Sequence, residues 1–218
     1  RISSWGTLSG LVSSFQSSTQ KLMTDLQKLA ATSSDTTALS ASAASTGVPG
    51  TYSVNVTQLA QSQSLVAAGQ TSSSTAISDG TPTTLTFDFG AITGGTLTNG
   101  TYGGATFTSN GNGTTSIVID GTNNTLEGIR DAINAANMGV SATIVNDGSG
   151  TPYRLALSAV NSGADQSMKI SVSGGDGTLD ALLGYDPETT QNLTQTRAAQ
   201  NATLTVNGID ITSPSNTV

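Results

Sequence analysis

Cysteine and histidine are both missing from this chain of 218 residues. Their absence rules out disulfides, thiol nucleophiles, the usual zinc ligand sets and any Ser–His or Cys–His catalytic pair. Aromatic residues make up 4% of the chain and charged residues 10%, so a core has to be built from Val, Ile, Leu and Ala. Basic residues number 7 against 14 acidic ones, a formal net charge of −7. A chain of that sign has no electrostatic footprint for nucleic acid or for an anionic membrane surface. No apolar run reaches the ~20 residues of a membrane span. No secretory signal peptide is visible, Arg1 is not a natural start, and Asn216-Thr217-Val218 stops in mid-pattern. The expectation is a piece of a longer protein. Its length still allows one or two domains with a real core.

What is present begins with one strongly helical segment, residues 1 to about 31. Trp5, Leu8, Leu11, Phe15, Leu22, Leu26 and Leu29 recur at spacings of three, three, four, seven, four and three. They form one apolar stripe, close to a heptad seam, on a rod of roughly 40 Å. Two readings are open: an ordinary amphipathic helix lying on its own domain, or a helix from a bundle or coiled coil whose partners lie elsewhere. No other segment is long enough to pair with it in full, which favours the second and makes the stripe the candidate assembly surface. Residues 32–46 are small and polar and read as a linker.

After the linker the pattern turns to short strands. Val48-Pro49-Gly50 is a turn in which Pro presets one corner and Gly relieves the next. Tyr52, Val54 and Val56 then alternate with Ser53, Asn55 and Thr57, as a half-buried strand requires. Strands are expected at 52–56, 64–67, 84–89, 105–108, 116–119, 140–146, 154–158, 167–172 and 202–206. Asp79-Gly80, Asn99-Gly100, Asp147-Gly148 and Asn207-Gly208 are hairpin-type turn signals. Residues 93–104 and 108–115 read as exposed loops or strand edges. The strand at 52–56 is expected to lie beside residues 198–209, and proline at Val54 to remove a ladder donor.

One short helix is expected from Leu126 to about Asn137. Asn124 is read as its N-cap, Glu127 as the third helical residue of a capping box, and Gly139 as its C-terminal cap. Leu126, Ile129 and Ile133 make its buried stripe. The unit of strand, helix, strand and strand is expected to lay this helix over one face of a small sheet.

The same unit resembles the flagellin "IN" motif of bacterial axial proteins. The residues that carry the resemblance are Ile119-Asp120-Gly121, Thr125-Leu126, Ile129-Arg130-Asp131-Ala132-Ile133-Asn134-Ala135, Gly139-Val140, Ala142, and Tyr153-Arg154-Leu155-Ala156-Leu157-Ser158. Where that motif often continues Ser-Thr-x-Thr-Gly, this chain has Asn161-Ser162-Gly163. Two further strings narrow the choice. Gly50-Thr51-Tyr52-Ser53-Val54 with Gln58-Leu59-Ala60-Gln61 is one; Ala198-Ala199-Gln200-Asn201-Ala202 with Val206-Asn207-Gly208-Ile209 and Ser213-Pro214-Ser215-Asn216-Thr217-Val218 is the other. Both look like the hook-associated protein 2 family, the filament caps, with 70–115 and 173–195 as variable loops.

That resemblance implies an α+β, mainly β fold. A long N-terminal helix, part of a helical leg domain, leads into two β-rich domains, one inserted in the other, with one short capped helix on a small sheet. The expected division is 1–45 for the leg segment and linker, 46–78 with 190–218 for a discontinuous β-domain, and 79–189 for the inserted domain, with the motif at about 115–172. Partner helices of the leg are implied to follow residue 218. The family implies a homo-oligomeric ring at the growing filament tip, exported by the flagellar type III route. Its implied partners are flagellin and the hook–filament junction proteins. Two alternatives stay open: another axial protein (junction protein or flagellin), and an adhesin that binds host surface glycans through Tyr102 or Tyr185.

Several motifs carry no chemistry. The sequon matches at Asn55, Asn99, Asn112, Asn123, Asn192 and Asn201 are expected by chance in a chain this rich in Asn and Thr. Asp176, Asp180 and Asp186 lack the regular ligands of a calcium loop. Arg130-Asp131 and Arg154 read as solvated charges. No catalytic residue, cofactor or metal is expected.

Overall fold

The computed structural model describes residues 2–26 and 29–218, and the chain divides into two compact units, Arg1–Tyr52 and Ser53–Val218. The first unit opens with α1 (Ile2–Leu26). Gly6, Gly10 and many serines lower its helix propensity, and it has no acid in its first turn and no base in its last. Thr19 and Thr24 donate back to the carbonyls of Phe15 and Gln20 at 2.8 and 3.0 Å. The helix was expected to reach about residue 31; residues 27 and 28 lie outside the described residues, and the chain is no longer helical at Leu29. The sequence beyond favours turns: the Asp35 carboxylate accepts from the Thr37 N–H and hydroxyl and the Ala38 N–H. The Thr37 hydroxyl, above all, holds the Asp35 carboxyl below its ordinary value. The expected linker therefore contains a built turn.

The second unit runs β1 (Val54–Gln58), β2 (Ser64–Val66), β3 (Thr83–Thr98), β4 (Thr101–Ser109), β5 (Thr115–Ile119), α2 (Leu126–Ala136), β6 (Val140–Asn146), β7 (Tyr153–Ala159), β8 (Ser167–Gly174), α3 (Thr178–Leu183), β9 (Thr194–Arg197), β10 (Ala202–Val206) and β11 (Ile209–Ser213). Three antiparallel sheets result. One has the order β1-β10-β11 and another β6-β7-β2-β9. The third is centred on β3, with β4 and β5 along one edge and β8 along the other. The fold is α+β and mainly β, as expected.

Several expectations need correction. Of the two readings of residues 93–104, loops or strand edges, the second holds: they are the far half of a hairpin in which Thr98 pairs with Thr101 around Asn99-Gly100. Asn99 takes φ 52 and Gly100 φ 84, the left-handed pair that a two-residue hairpin turn requires. The motif at 115–172 does not form one small sheet: β5 and β8 flank β3, while β6 and β7 belong to the neighbouring sheet. The β6-β7-β2-β9 sheet spans the expected boundaries at 78/79 and 189/190, because β2 pairs with β7 on one side and with β9 on the other. The segment with its own sheet is narrower, β1 with β10 and β11.

The caps of α2 are displaced as well. Thr125 is the N-cap, its hydroxyl accepting from the Gly128 N–H at 3.0 Å. Asn124 instead reaches the Ser78 carbonyl at 2.8 Å, and Glu127 accepts from the Ser73 hydroxyl at 2.6 Å. Asn137, at φ 49, ends the helix, two residues before Gly139. The buried stripe Leu126, Ile129 and Ile133 stands as expected.

The core lies between the β3 sheet and the β6-β7-β2-β9 sheet. Leu85, Phe87, Ile119, Met168 and Ile170 come from one, Leu65, Val140, Leu155 and Leu157 from the other, and α2 and α3 add Leu126, Ile129, Ile133, Leu179 and Leu183. Gln63, fully buried, ties the two together: its amide donates to Gln195 Oε1 at 2.6 Å and accepts from the Met168 N–H at 2.6 Å. Gln195 in turn donates to the Tyr102 hydroxyl at 2.8 Å. A buried polar network costs little when each member is paired, and it fixes register.

Candidate assembly surfaces and the neck

The α1 stripe is exposed. Trp5 is 73% exposed, Phe15 74% and Leu26 75%, and Leu8, Leu11 and Leu22 are all more than half exposed. Val12, missed in the sequence reading, is 57% exposed. With Trp5, Leu8, Phe15, Leu22 and Leu26 it follows steps of three, four, three, seven and four, a heptad spacing in which Thr19 holds the position between Phe15 and Leu22. Leu29 drops out of the helical stripe, since it lies beyond α1 and is half-buried. A Cβ at Gly47 would come within 3.3 Å of its Cδ1. Large apolar side chains held out on one helix face make this stripe a candidate interaction surface.

A second apolar surface lies on the β1-β10-β11 sheet. Val54, Val206 and Ile209 form one cross-strand row, and Val56, Leu204 and Ile211 the next. Leu204 is buried, but Ile209 is 68% exposed. The strand expected to be half-buried, β1, is exposed throughout. Its ladder geometry corrects the reading of Val54. Asn207 N–H donates to the Ser53 carbonyl at 2.8 Å, so by alternation Asn55 faces β10 and the Val54 N–H points to the free edge. Proline at Val54 removes no bond to β10; proline at Asn55 would.

The strings singled out in the sequence meet at a neck between that sheet and the main core. Gln61 and Gln200 exchange backbone bonds at 2.9 and 3.1 Å. Gln58 Nε2 donates to the Asn201 carbonyl, and Gln200 Nε2 to the Leu59 carbonyl, both at 2.8 Å. Asn216 clamps the backbone of Ala60, accepting from its N–H at 2.8 Å and donating to its carbonyl at 3.1 Å. From the other side, Asn201 accepts from the Ala164 N–H and Ser162 donates to the Pro214 carbonyl, each at 2.8 Å. Side-chain amides here do what strand ladders do elsewhere, and they hold incoming and outgoing chain side by side.

Among the described residues the carboxylates with lowered pKa values sit in turns and ion pairs. Asp176 accepts from the N–H groups of Thr178 and Asp79, which lower its pKa. Asp186 pairs with Lys169 at 2.6 Å, and Asp180 lies in α3, so the three acids do not converge. No group of three or more acids that could hold a metal occurs among the described residues. Arg154 pairs with Asp147 and Arg130 with Asp131. Tyr185 is fully buried and burial pushes its hydroxyl pKa up, so it offers no platform for a sugar. Tyr102 is half-buried in the Gln195 network. No helix among the described residues is long and apolar enough to cross a membrane.

Comparison with known proteins bears on these surfaces. The family described as flagellar hook-associated protein 2 N-terminus matches residues 1–63. Flagellar hook-associated protein 2 of Escherichia coli strain K12 is 37% identical over 222 residues, covering 100% of this chain and 42% of the relative. The B-type protein of Pseudomonas aeruginosa is 34% identical over 216 residues, covering 95% of this chain and 40% of the relative. This chain thus spans less than half the length of those curated relatives. Among solved structures, the D2-D3 domains of the Escherichia coli flagellar cap protein FliD superpose with a TM-score of 0.67 at 37% identity, covering 80% of each chain. The D1-D2-D3 structure from Escherichia coli gives 0.66 at 36% identity, covering 79% of this chain and 46% of that one.

Proposed function

The chain belongs to the flagellar hook-associated protein 2 family, and on that premise we propose that it serves in the cap of the bacterial flagellar filament. Identical subunits form a ring at the growing tip, outside the cell. The cap promotes flagellin polymerisation and prevents loss of flagellin monomers. The β-rich unit builds the plate, with residues 63–197 as its inserted part, and α1 belongs to a helical leg that reaches toward flagellin and the hook–filament junction proteins. Export follows the flagellar type III route. The role is mechanical, with no catalytic step.

The observation that carries this reading is the exposed apolar stripe of α1, in a chain whose relatives are named flagellar hook-associated protein 2 and flagellar cap protein. A helix rich in serine and glycine is marginal alone, and burying that stripe against neighbouring helices is what would stabilise it. The test is genetic and visual. The gene product that carries this sequence is supplied to a strain deleted for its cap, and filament tips are imaged. Plate-like ends and retention of flagellin are expected; bare tips with flagellin still lost to the medium sink the proposal. Gold-labelled antibody separates the tip from the junction and the shaft.

A further inference from the structure

Four Asn-Gly pairs occur in the chain, at 99–100, 110–111, 112–113 and 207–208. Such a pair can lose ammonia unaided. The glycine amide nitrogen attacks the asparagine Cγ and closes a five-membered succinimide. The side-chain nitrogen departs with the proton from that amide as ammonia. Water then adds at one of the two ring carbonyls, and the C–N bond opens to aspartate or to isoaspartate. Glycine favours the attack because no Cβ crowds the ring. What the fold decides is which asparagine has a free carboxamide, a free following N–H and a backbone able to swing.

We propose that Asn112 is the site of spontaneous deamidation in this chain, with water as the only co-reactant. The other three pairs are held. Asn99 is fixed in the left-handed region at φ 52 in the β3–β4 turn, and a Cβ at Gly100 would come within 2.3 Å of the Thr194 side chain. The Gly100 carbonyl also accepts from the Gln195 N–H at 2.8 Å. Asn207 has the same φ of 52, and its Oδ1 accepts from the Ser53 N–H at 2.8 Å. Asn110 is held at both ends of its amide: Oδ1 accepts from the Asn112 N–H at 3.0 Å, and Nδ2 donates to the Asp165 carbonyl at 3.2 Å.

Asn112 is exposed on the loop between β4 and β5. Among the described residues neither its carboxamide nor the Gly113 N–H has a hydrogen-bond partner. A Cβ placed at Gly113 meets nothing within 4 Å, so the loop has room to rearrange. Conversion adds one negative charge to a surface that is already acidic. The isoaspartate branch also lengthens the backbone of that loop by one methylene.

The experiment ages the purified, folded chain in mildly alkaline buffer and follows each pair by peptide mass spectrometry, with isoaspartyl methyltransferase as the second readout. Residue 112 is expected to carry most of the converted material. The same chain unfolded in urea is expected to lose that preference, all four pairs converting at comparable rates. Asn112→Gln, which disfavours the five-membered ring, should remove most of the isoaspartate signal. Conversion at Asn99, Asn110 or Asn207 as fast as at Asn112 in the folded chain overturns the proposal. So does an Asn112 that stays intact when folded but converts when unfolded.

Discussion

Two helices in this chain carry the same kind of apolar stripe and meet opposite fates. In α2, Leu126, Ile129 and Ile133 are at most 1% exposed. In α1, Trp5, Phe15 and Leu26 are each more than 70% exposed. The short helix has a hydroxyl N-cap, an acid in its first turn and a left-handed asparagine at its end. The long one has two glycines and neither an acid at its start nor a base at its end. Periodicity reports that a helix has an apolar face; it does not report what covers that face. The face of the capped helix is covered within its own unit, whereas the face of α1 is left exposed.

Truncating each stripe gives the largest separation. Ile133→Ala is expected to cost about 2–5 kcal/mol, because it leaves a cavity beneath a fully buried side chain. Phe15→Ala should move the stability of the isolated chain by no more than about 0.5 kcal/mol, as exposed positions usually do. Urea unfolding midpoints check both. Equal costs would mean that α1 is already packed, and the comparison would collapse. In the assembled state the order should change, with Phe15→Ala weakening self-association.

The ends and interiors of the helices come next. Thr125→Ala removes the hydroxyl that receives the Gly128 N–H and should cost about 1 kcal/mol. Replacing Gly6 or Gly10 by Ala should favour α1 by up to about 1 kcal/mol each, since a Cβ at either meets nothing within 4 Å. The readout is a gain in far-ultraviolet helical signal. An unchanged signal would show α1 already fully formed, and its dependence on partners overstated.

The sequence shows α2, β6 and β10 almost to their ends, because in each a clear period is bracketed by turn residues. The length of β3 is hidden by Gly90, Gly94 and Gly95. Gly90 is there because a Cβ would strike the Thr108 carbonyl oxygen at 2.2 Å, a contact between distant residues that no local pattern announces. Polar β9, Thr194-Gln195-Thr196-Arg197, lacks the alternation that marks a strand, and β11 shows it only over Ile209–Thr212 before the chain turns to Ser213-Pro214. Among site residues, six of the seven expected stripe positions lie on α1 and Leu29 does not; Val12 could have been found by holding strictly to the three–four step. The sequence places 52–56 beside 198–209, and β1 does pair with β10, but the side-chain bonds of the neck are not visible. Those bonds join residues such as Gln58 and Asn201, separated by 143 positions, and they run through side-chain amides that carry no periodic signal.

Acid should separate the two helices by the smallest margin. Asp120, in the turn that leads to α2, accepts from the Thr122 hydroxyl at 2.7 Å and its N–H at 2.8 Å. Those bonds, the hydroxyl first, hold its pKa below the ordinary 3.8. Asp131 on α2 is likewise lowered, chiefly by its bond to Arg130. A carboxyl with a depressed folded pKa adds stability above the ordinary value, and that stability is lost as pH falls from 3.8 through the folded value. Asp131 is exposed and Asp120 only half-buried, so the effect is modest. Hydrogen exchange of the Ile129 and Ile133 amides should therefore speed up as pH drops through that window, after correction for the intrinsic rate. Asp120→Asn should flatten this dependence while leaving exchange in α1 as it is in the parent chain. If α1 responded to Asp120→Asn as strongly as α2, the two helices would not be the independent elements that their burial describes.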